Sequence, residues 1–217
     1  MLAQALNTSG NVMEERSPRA TLGRPKILDR NRVLQVAMES YWSEGPTAVS
    51  VNEICRRAGI SKPGLYREFG GEDGLQASAL DAYRDEVLTP LFQIFEADMP
   101  FGDAIDALVE LTTQDRAMME IPTGCMFEQM RGCRKELGPK TNESINLTRE
   151  NIQARIEGWI NIAKENGQMG VQISTVTAAL YVGSQITSAI TMQAEGIDRN
   201  HVTDFLQFAF KGWKGST

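Results

Sequence analysis

Apolar residues in this chain recur three and four positions apart, the spacing that lines one face of an α-helix. No stretch keeps the period of two that a half-buried strand needs. Over residues 29–44, Val33, Ala37 and Tyr41 form one row and Leu34 and Met38 the next, and Gly45-Pro46 ends the run. Val51, Ile54, Cys55 and Ala58 give a stripe over 50–58, and Leu65 and Phe69 hold a short helix over 61–69. Leu75, Leu80, Tyr83, Val87, Leu91 and Phe95 or Ile94 predict one long helix over 71–97. Pro90 should kink it near Glu86, because proline lacks the N–H and crowds the carbonyl four residues back. Further helices are predicted over 101–119, 125–137, 141–166, 174–195 and 200–213. Nine helices and no strand make an all-α fold.

The punctuation is sharpest between residues 50 and 70. Ser50 and Glu53 match a capping box, so a helix starts there. Gly59 suits a left-handed residue that ends it. Ile60 is an apolar plug in the turn. Ser61 is a good N-cap for the next helix, whose first turn tolerates Pro63. Lys62, Pro63, Gly64, Tyr66 and Arg67 are left facing outward, with two cations and no acid. Gly64 on that face would let the backbone approach a phosphate closely. Two short helices at a tight turn with a basic outer face predict a helix-turn-helix, whose second helix lies in a DNA major groove. Upstream, Gly23-Arg24-Pro25-Lys26 predicts an extended basic arm, with Arg24 able to enter a narrow minor groove.

The run S-V-N-E-I-C-R-R-A-G-I-S-K-P-G-L-Y-R-E-F-G, residues 50–70, resembles the DNA-binding signature of the tetracycline-repressor (TetR) family of bacterial regulators. Ser50, Ala58, Gly59, Ile60, Ser61, Leu65, Tyr66 and Phe69 carry the likeness, which with its flanks covers about residues 24–80. The chain departs from the family pattern at Pro63-Gly64, where many members have Gly-Thr or Gly-Ser. It departs again at Glu72, where many have Lys. Residues 1–22 mix Ser, Asn, Gly, Glu and Arg without periodicity and are expected to be a disordered lead-in; the resemblance implies a helix-turn-helix domain over 23–71 and a helical ligand-binding and dimerisation domain over 72–217. The expected DNA contacts are Arg24, Lys26, Ser50, Ser61, Lys62, Pro63, Gly64, Tyr66 and Arg67.

Charge changes the picture in one respect. The formal net charge of −6 on 217 residues argues against nucleic acid, but it is uneven. Residues 16–70 hold ten Lys/Arg against five Asp/Glu, and residues 71–217 hold twelve against twenty-one. A basic module on an acidic body attracts phosphate locally and keeps the rest off the duplex. Three cysteines, an odd count, do not make a disulfide framework, and a reducing cytoplasm is expected. The first ten residues lack the basic and apolar regions of a secretory signal. The run 166–194 is free of charge but too rich in Ser, Thr and Gln for a bilayer span, so no membrane partner is expected.

The last two predicted helices are apolar or uncharged nearly all round, which fits a bundle core or a subunit interface. By the resemblance they form a four-helix bundle between two subunits, with Ala179, Val182, Gly183, Ile186, Ile190, Phe205, Phe208 and Ala209 at the contact. A dimer also suits a palindromic operator, since two half-sites need two readers. The resemblance further implies a small-molecule inducer site in the body. Candidates are Phe92, Phe95, Met118, Met126, Phe127, Met130, Trp159 and Tyr181, since methionine and aromatic groups adapt to varied ligands, although any one of them taken singly reads more readily as plain core. Cys125, at a predicted helix N-terminus where a thiol pKa can fall, offers a redox-sensing alternative. A DNA-organising protein without inducer is another. Enzyme chemistry has little material: His201 is the only histidine, and no phosphate-binding glycine loop is present. No cofactor is expected.

Overall fold

The computed structural model describes residues 28–116, 118–119 and 121–213. The lead-in and the arm residues Arg24 and Lys26 lie outside them. Ten α-helices and no strand are found among the described residues, so the chain is all-α as its periodicity predicts.

The first three helices follow their local signals closely. α1 (Arg30–Glu44) is capped by the Asp29 side chain, which accepts from the Arg32 N–H. α2 (Val51–Ala58) is capped by Ser50 and ended by Gly59 at φ 68°. α3 (Lys62–Phe69) is capped by Ser61, whose hydroxyl accepts from the Gly64 N–H at 3.2 Å. Val33, Ala37, Tyr41, Ile54, Leu65 and Phe69 are buried where these helices meet.

Downstream, four predicted boundaries move. The long fourth helix is broken rather than kinked, into α4 (Glu72–Glu86) and α5 (Thr89–Glu96). Pro90 sits in the first turn of α5, where no intrahelical donor is needed, and the Thr89 hydroxyl bonds the Asp85 carbonyl at 2.6 Å. α6 (Phe101–Thr112) stops seven residues before the predicted end. Its Thr112 carbonyl is taken by Gln193 at 2.6 Å, and the Thr113 hydroxyl folds back onto the Val109 carbonyl. α7 (Met126–Gly132) is followed by a separate 3₁₀ turn over Arg134–Glu136. α8 (Pro139–Glu165) then begins at the proline expected to end the helix before it. α9 (Thr175–Ala194) starts after its Ser174 cap, and α10 (Arg199–Phe210) follows.

α4 packs on α1 at one side and on α8 at the other, so it joins the helix-turn-helix to the body. Its seam with α8 is partly polar. The Ser144 hydroxyl donates to Asp81 at 2.8 Å, and the Thr141 hydroxyl to Asp73 at 2.8 Å. Trp42 of α1 donates to the Gly124 carbonyl, and Gln129 returns a bond to the Trp42 carbonyl. No described helix is long and apolar enough to cross a membrane.

Candidate nucleic-acid interface

The helix-turn-helix presents α3 by burying one side of it. Leu65 and Phe69, four apart, are buried, and Lys62, Pro63, Tyr66 and Arg67 are exposed. The Lys62 ammonium sits over the Tyr66 ring, 5.6 Å from its centroid. Gly64 departs from expectation. A Cβ there would meet the Ser61 hydroxyl at 3.1 Å and Leu28 at 3.7 Å, so the residue is half-buried against its own cap rather than open to a phosphate. Ser50 and Ser61 both use their hydroxyls as helix caps.

Ion pairing sorts the cations. Arg30 reaches Glu68 at 3.4 Å, and Arg56 and Arg57 share Glu53 at 2.7 Å each. Arg57 also pairs with Glu44. Hydrogen bonds from Arg56 and then Arg57 hold the Glu53 carboxyl down at about 2. Lys62 and Arg67 of α3, by contrast, pair with no carboxylate among the described residues. A phosphate would therefore meet them without displacing an internal acid.

The turn from α3 into α4 depends on glycine. Gly70 and Gly71 have φ of 74° and 107°, a region side chains avoid, and Gly71 lies under the Tyr66 ring. Asp73, in the first turn of α4, does not face its own helix end alone. Its carboxylate accepts from the backbone N–H groups of Lys140 at 3.0 Å and Thr141 at 2.9 Å, and so caps the N-terminus of α8 from 67 residues away. Burial alone would raise the Asp73 pKa; the Thr141 and Lys140 hydrogen bonds outweigh it and hold it below the usual carboxylate range. Glu72 is left exposed beside it.

The candidate ligand residues are mostly core. Phe92, Phe95, Met126, Met130 and Trp159 are buried, with Trp159 packed against Phe95 and Phe101. Met118 stands 84% exposed in the loop after α6. Tyr181 stacks on Trp213 at 5.3 Å and donates to the Ala209 carbonyl. Only Phe127 of that set lines the large cleft of about 1320 Å³ between α5, α7, α8 and α9. Its apolar wall is Leu88, Leu91, Ile145, Ile152, Ile156 and Ile186, and Arg131, Arg149, Glu150 and Glu157 stand at its polar side. The isoleucine row of α8 was the available signal, since its periodicity is as clear as that of any core stripe.

Cys125 borders this cleft and a smaller one of about 540 Å³ beside Trp42 and Gln129. Burial pushes its thiol up, against the lowering by the Tyr83 hydroxyl and by backbone N–H groups of α7. The expected depression at a helix N-terminus is thus reversed.

The α9 residues expected at a subunit contact are mostly covered within the protomer. Ala179 and Val182 are fully buried within the protomer, and Ile186, Gly183 and Ile190 face the cleft. Val176, Leu180, Tyr181 and Ser184 of α9 are exposed, as is Phe208 of α10. Phe205 and Ala209 are half-buried.

Residues 33–79 match the model of the bacterial regulatory proteins of the tetR family. The HTH-type transcriptional repressor ComR of Escherichia coli K12 is 40% identical over 63 residues, 29% of this chain and 30% of that protein. The HTH-type transcriptional repressor BdcR of the same organism is 29% identical over 104 residues, 48% of this chain and 53% of that protein. The matches thus span about a third and about half of those relatives. Among solved structures, a cysteine-substituted form of the TetR family transcriptional regulator CifR, complexed with 26 bp of double-strand operator DNA, superposes with a TM-score of 0.72. It is 19% identical, and the match covers 88% of this chain and all of that one, which is a likeness of fold.

Proposed function

We propose that this chain, a TetR-family protein by its N-terminal helix-turn-helix, is a repressor that binds a palindromic operator as a homodimer and lets go when a small molecule fills the cleft. Residues 23–71 would read the DNA and residues 72–217 would bind the ligand and the second subunit. The observation that carries this is the outer face of α3, where Lys62 lies over the Tyr66 ring and neither Lys62 nor Arg67 pairs with a carboxylate among the described residues. The Arg24 and Lys26 arm would add minor-groove contact.

Dimerisation is supported by the large apolar side chains left exposed on the last two helices, Val176 and Leu180 of α9 and Phe208 of α10, which water would otherwise cover at a cost. Ligand control is supported by the cleft, whose α8 wall belongs to a helix packed directly on α4. A molecule that shifts α8 would shift α4 and with it α3. By linkage, DNA changes that molecule's affinity by the same factor as the molecule changes DNA affinity. A compound that binds the cleft, found by thermal shift, should weaken DNA binding; one that leaves it unchanged at saturation would remove the ligand-release part. A redox role for Cys125 has less support, since its thiol is kept protonated. A DNA-organising protein would instead occupy many genomic sites and respond to no ligand. The expected setting is the reducing cytoplasm.

The central test is salt dependence. Binding to duplex DNA should weaken steeply with salt, and Lys62→Ala should weaken all sequences alike. The log–log slope should fall by about 0.9 for the lost phosphate contact. An unchanged slope in fluorescence-anisotropy titrations would show that Lys62 touches no phosphate.

A further inference from the structure

We propose that Lys140, on the first turn of α8, is a DNA-phosphate contact supplied by the body rather than by the helix-turn-helix. The inference rests on the DNA-binding role argued above.

Its ammonium lies 3.3 Å from the point where a Cβ on Gly70 would stand. Gly70 is the residue that caps α3, so this cation sits against the end of the reading helix itself. On the adjoining glycine, Gly71, the corresponding point is 3.4 Å from the Tyr66 ring, and Lys62 sits over that ring. Lys62, Tyr66 and Lys140 are all exposed, and they lie along α3 from its first residue to its cap at Gly70. Any Cβ at Gly70 would press on the Lys140 ammonium.

The main chain of Lys140 is fixed, and its ammonium charge is felt by the Asp73 carboxylate without an ion pair closing between them. The Asp73 carboxylate holds the Lys140 and Thr141 N–H groups, which ties the start of α8 to the start of α4. The side chain is exposed and makes no ion pair with a described residue. Glu72 and Asp73 place negative charge at this turn, which repels a DNA backbone. Lys140 offsets that charge where α3 ends. A lysine suits the task, as a point charge on a flexible stem that follows a phosphate as the helix settles. The same helix lines the cleft through Ile145, Ile152 and Ile156, about 24 Å further along at most. One rigid element would then carry both a DNA contact and a wall of the ligand site.

The test uses the full chain and a labelled, mixed-sequence duplex of about 30 base pairs, long enough for two half-sites. Anisotropy titrations are run from about 50 to 200 mM salt for wild type, Lys140→Ala, Lys140→Arg and Lys62→Ala. Lys140→Ala should lower the log–log slope by about 0.9 and weaken binding about three- to tenfold, with an unchanged melting temperature. Lys140→Arg should restore the slope, which a purely structural role would not require. Lys140→Ala isotherms that overlay wild type at every salt, while Lys62→Ala falls, would overturn the Lys140 contact and leave the DNA reading standing. A wild-type chain that binds no duplex would overturn both.

Discussion

Leu180→Glu combined with Phe208→Glu should give a folded monomer that has lost nearly all operator affinity. The two side chains are 57% and 81% exposed in the protomer, so glutamate there meets water and leaves the core alone. In a two-fold dimer each change occurs twice, which would place four acids in one dry contact. Burial of each large apolar side chain is worth about 1.5–3 kcal/mol, so four lost contacts alone remove about 6–12 kcal/mol of association energy. Loss of the second reader then removes an avidity of about 10²–10⁴ in DNA binding. Sedimentation velocity reads the assembly state, and anisotropy on operator DNA reads the affinity. A double variant that still sediments as a dimer would place the interface elsewhere. Substitutions at Gly183 or Phe205 are poorer probes: Gly183 faces Ile156 and the cleft, and Phe205 is half-buried against the core. A charge at either would disturb the protomer as well as any contact.

Gly74→Ala should destabilise the chain by about 3 kcal/mol or more, through a single methyl group. The added Cβ would stand 1.7 Å from the Phe69 carbonyl oxygen and 2.9 Å from its carbon. Both are backbone atoms at the end of α3, so no rotamer change relieves the overlap. The exit turn must open, and α3 must shift against α4. For a chain of this size the melting temperature should fall by about 6–12 °C, with DNA binding lost at the higher end of that range. Gly158→Ala is the control. Gly158 is exposed on α8 with nothing near its Cβ position, so alanine there should be neutral or stabilising by about 0.4–1 kcal/mol. Calorimetry in which Gly74→Ala melts with wild type would show that the α3–α4 turn is looser than its geometry implies.

The two sites differ in how much of them the sequence carries. The helix-turn-helix is written in short-range chemistry. The Ser50 and Ser61 hydroxyls bond N–H groups three residues on, and Gly59 needs only its own freedom at φ 68°. The outward set Lys62, Tyr66 and Arg67 follows once Leu65 and Phe69 are known to face in, because a helix fixes angular position by residue number alone. The cleft was legible only as a region. Methionine and aromatic content marked core residues such as Met126 and Met130, while the α8 isoleucines that wall the cleft looked like any buried stripe. Composition does not say which core residue borders a gap.

The sequence by itself determined the class of fold, the caps and turn of α2 and α3, and the basic outer face of α3, since each depends on groups within about one helical turn. Only the tertiary structure decided where α4 breaks into α5 with Pro90 in the new first turn, which side of α9 is left bare, and that the Asp73 carboxylate caps a helix 67 residues away. It alone brought Lys140 beside Gly70. An uncharged helix such as α9 carries no strong stripe to set its rotation, so its neighbours α8 and α10 set it by packing. An aspartate in a first turn is as consistent with its own helix end as with another's, and the choice belongs to whichever N–H groups the fold delivers to it.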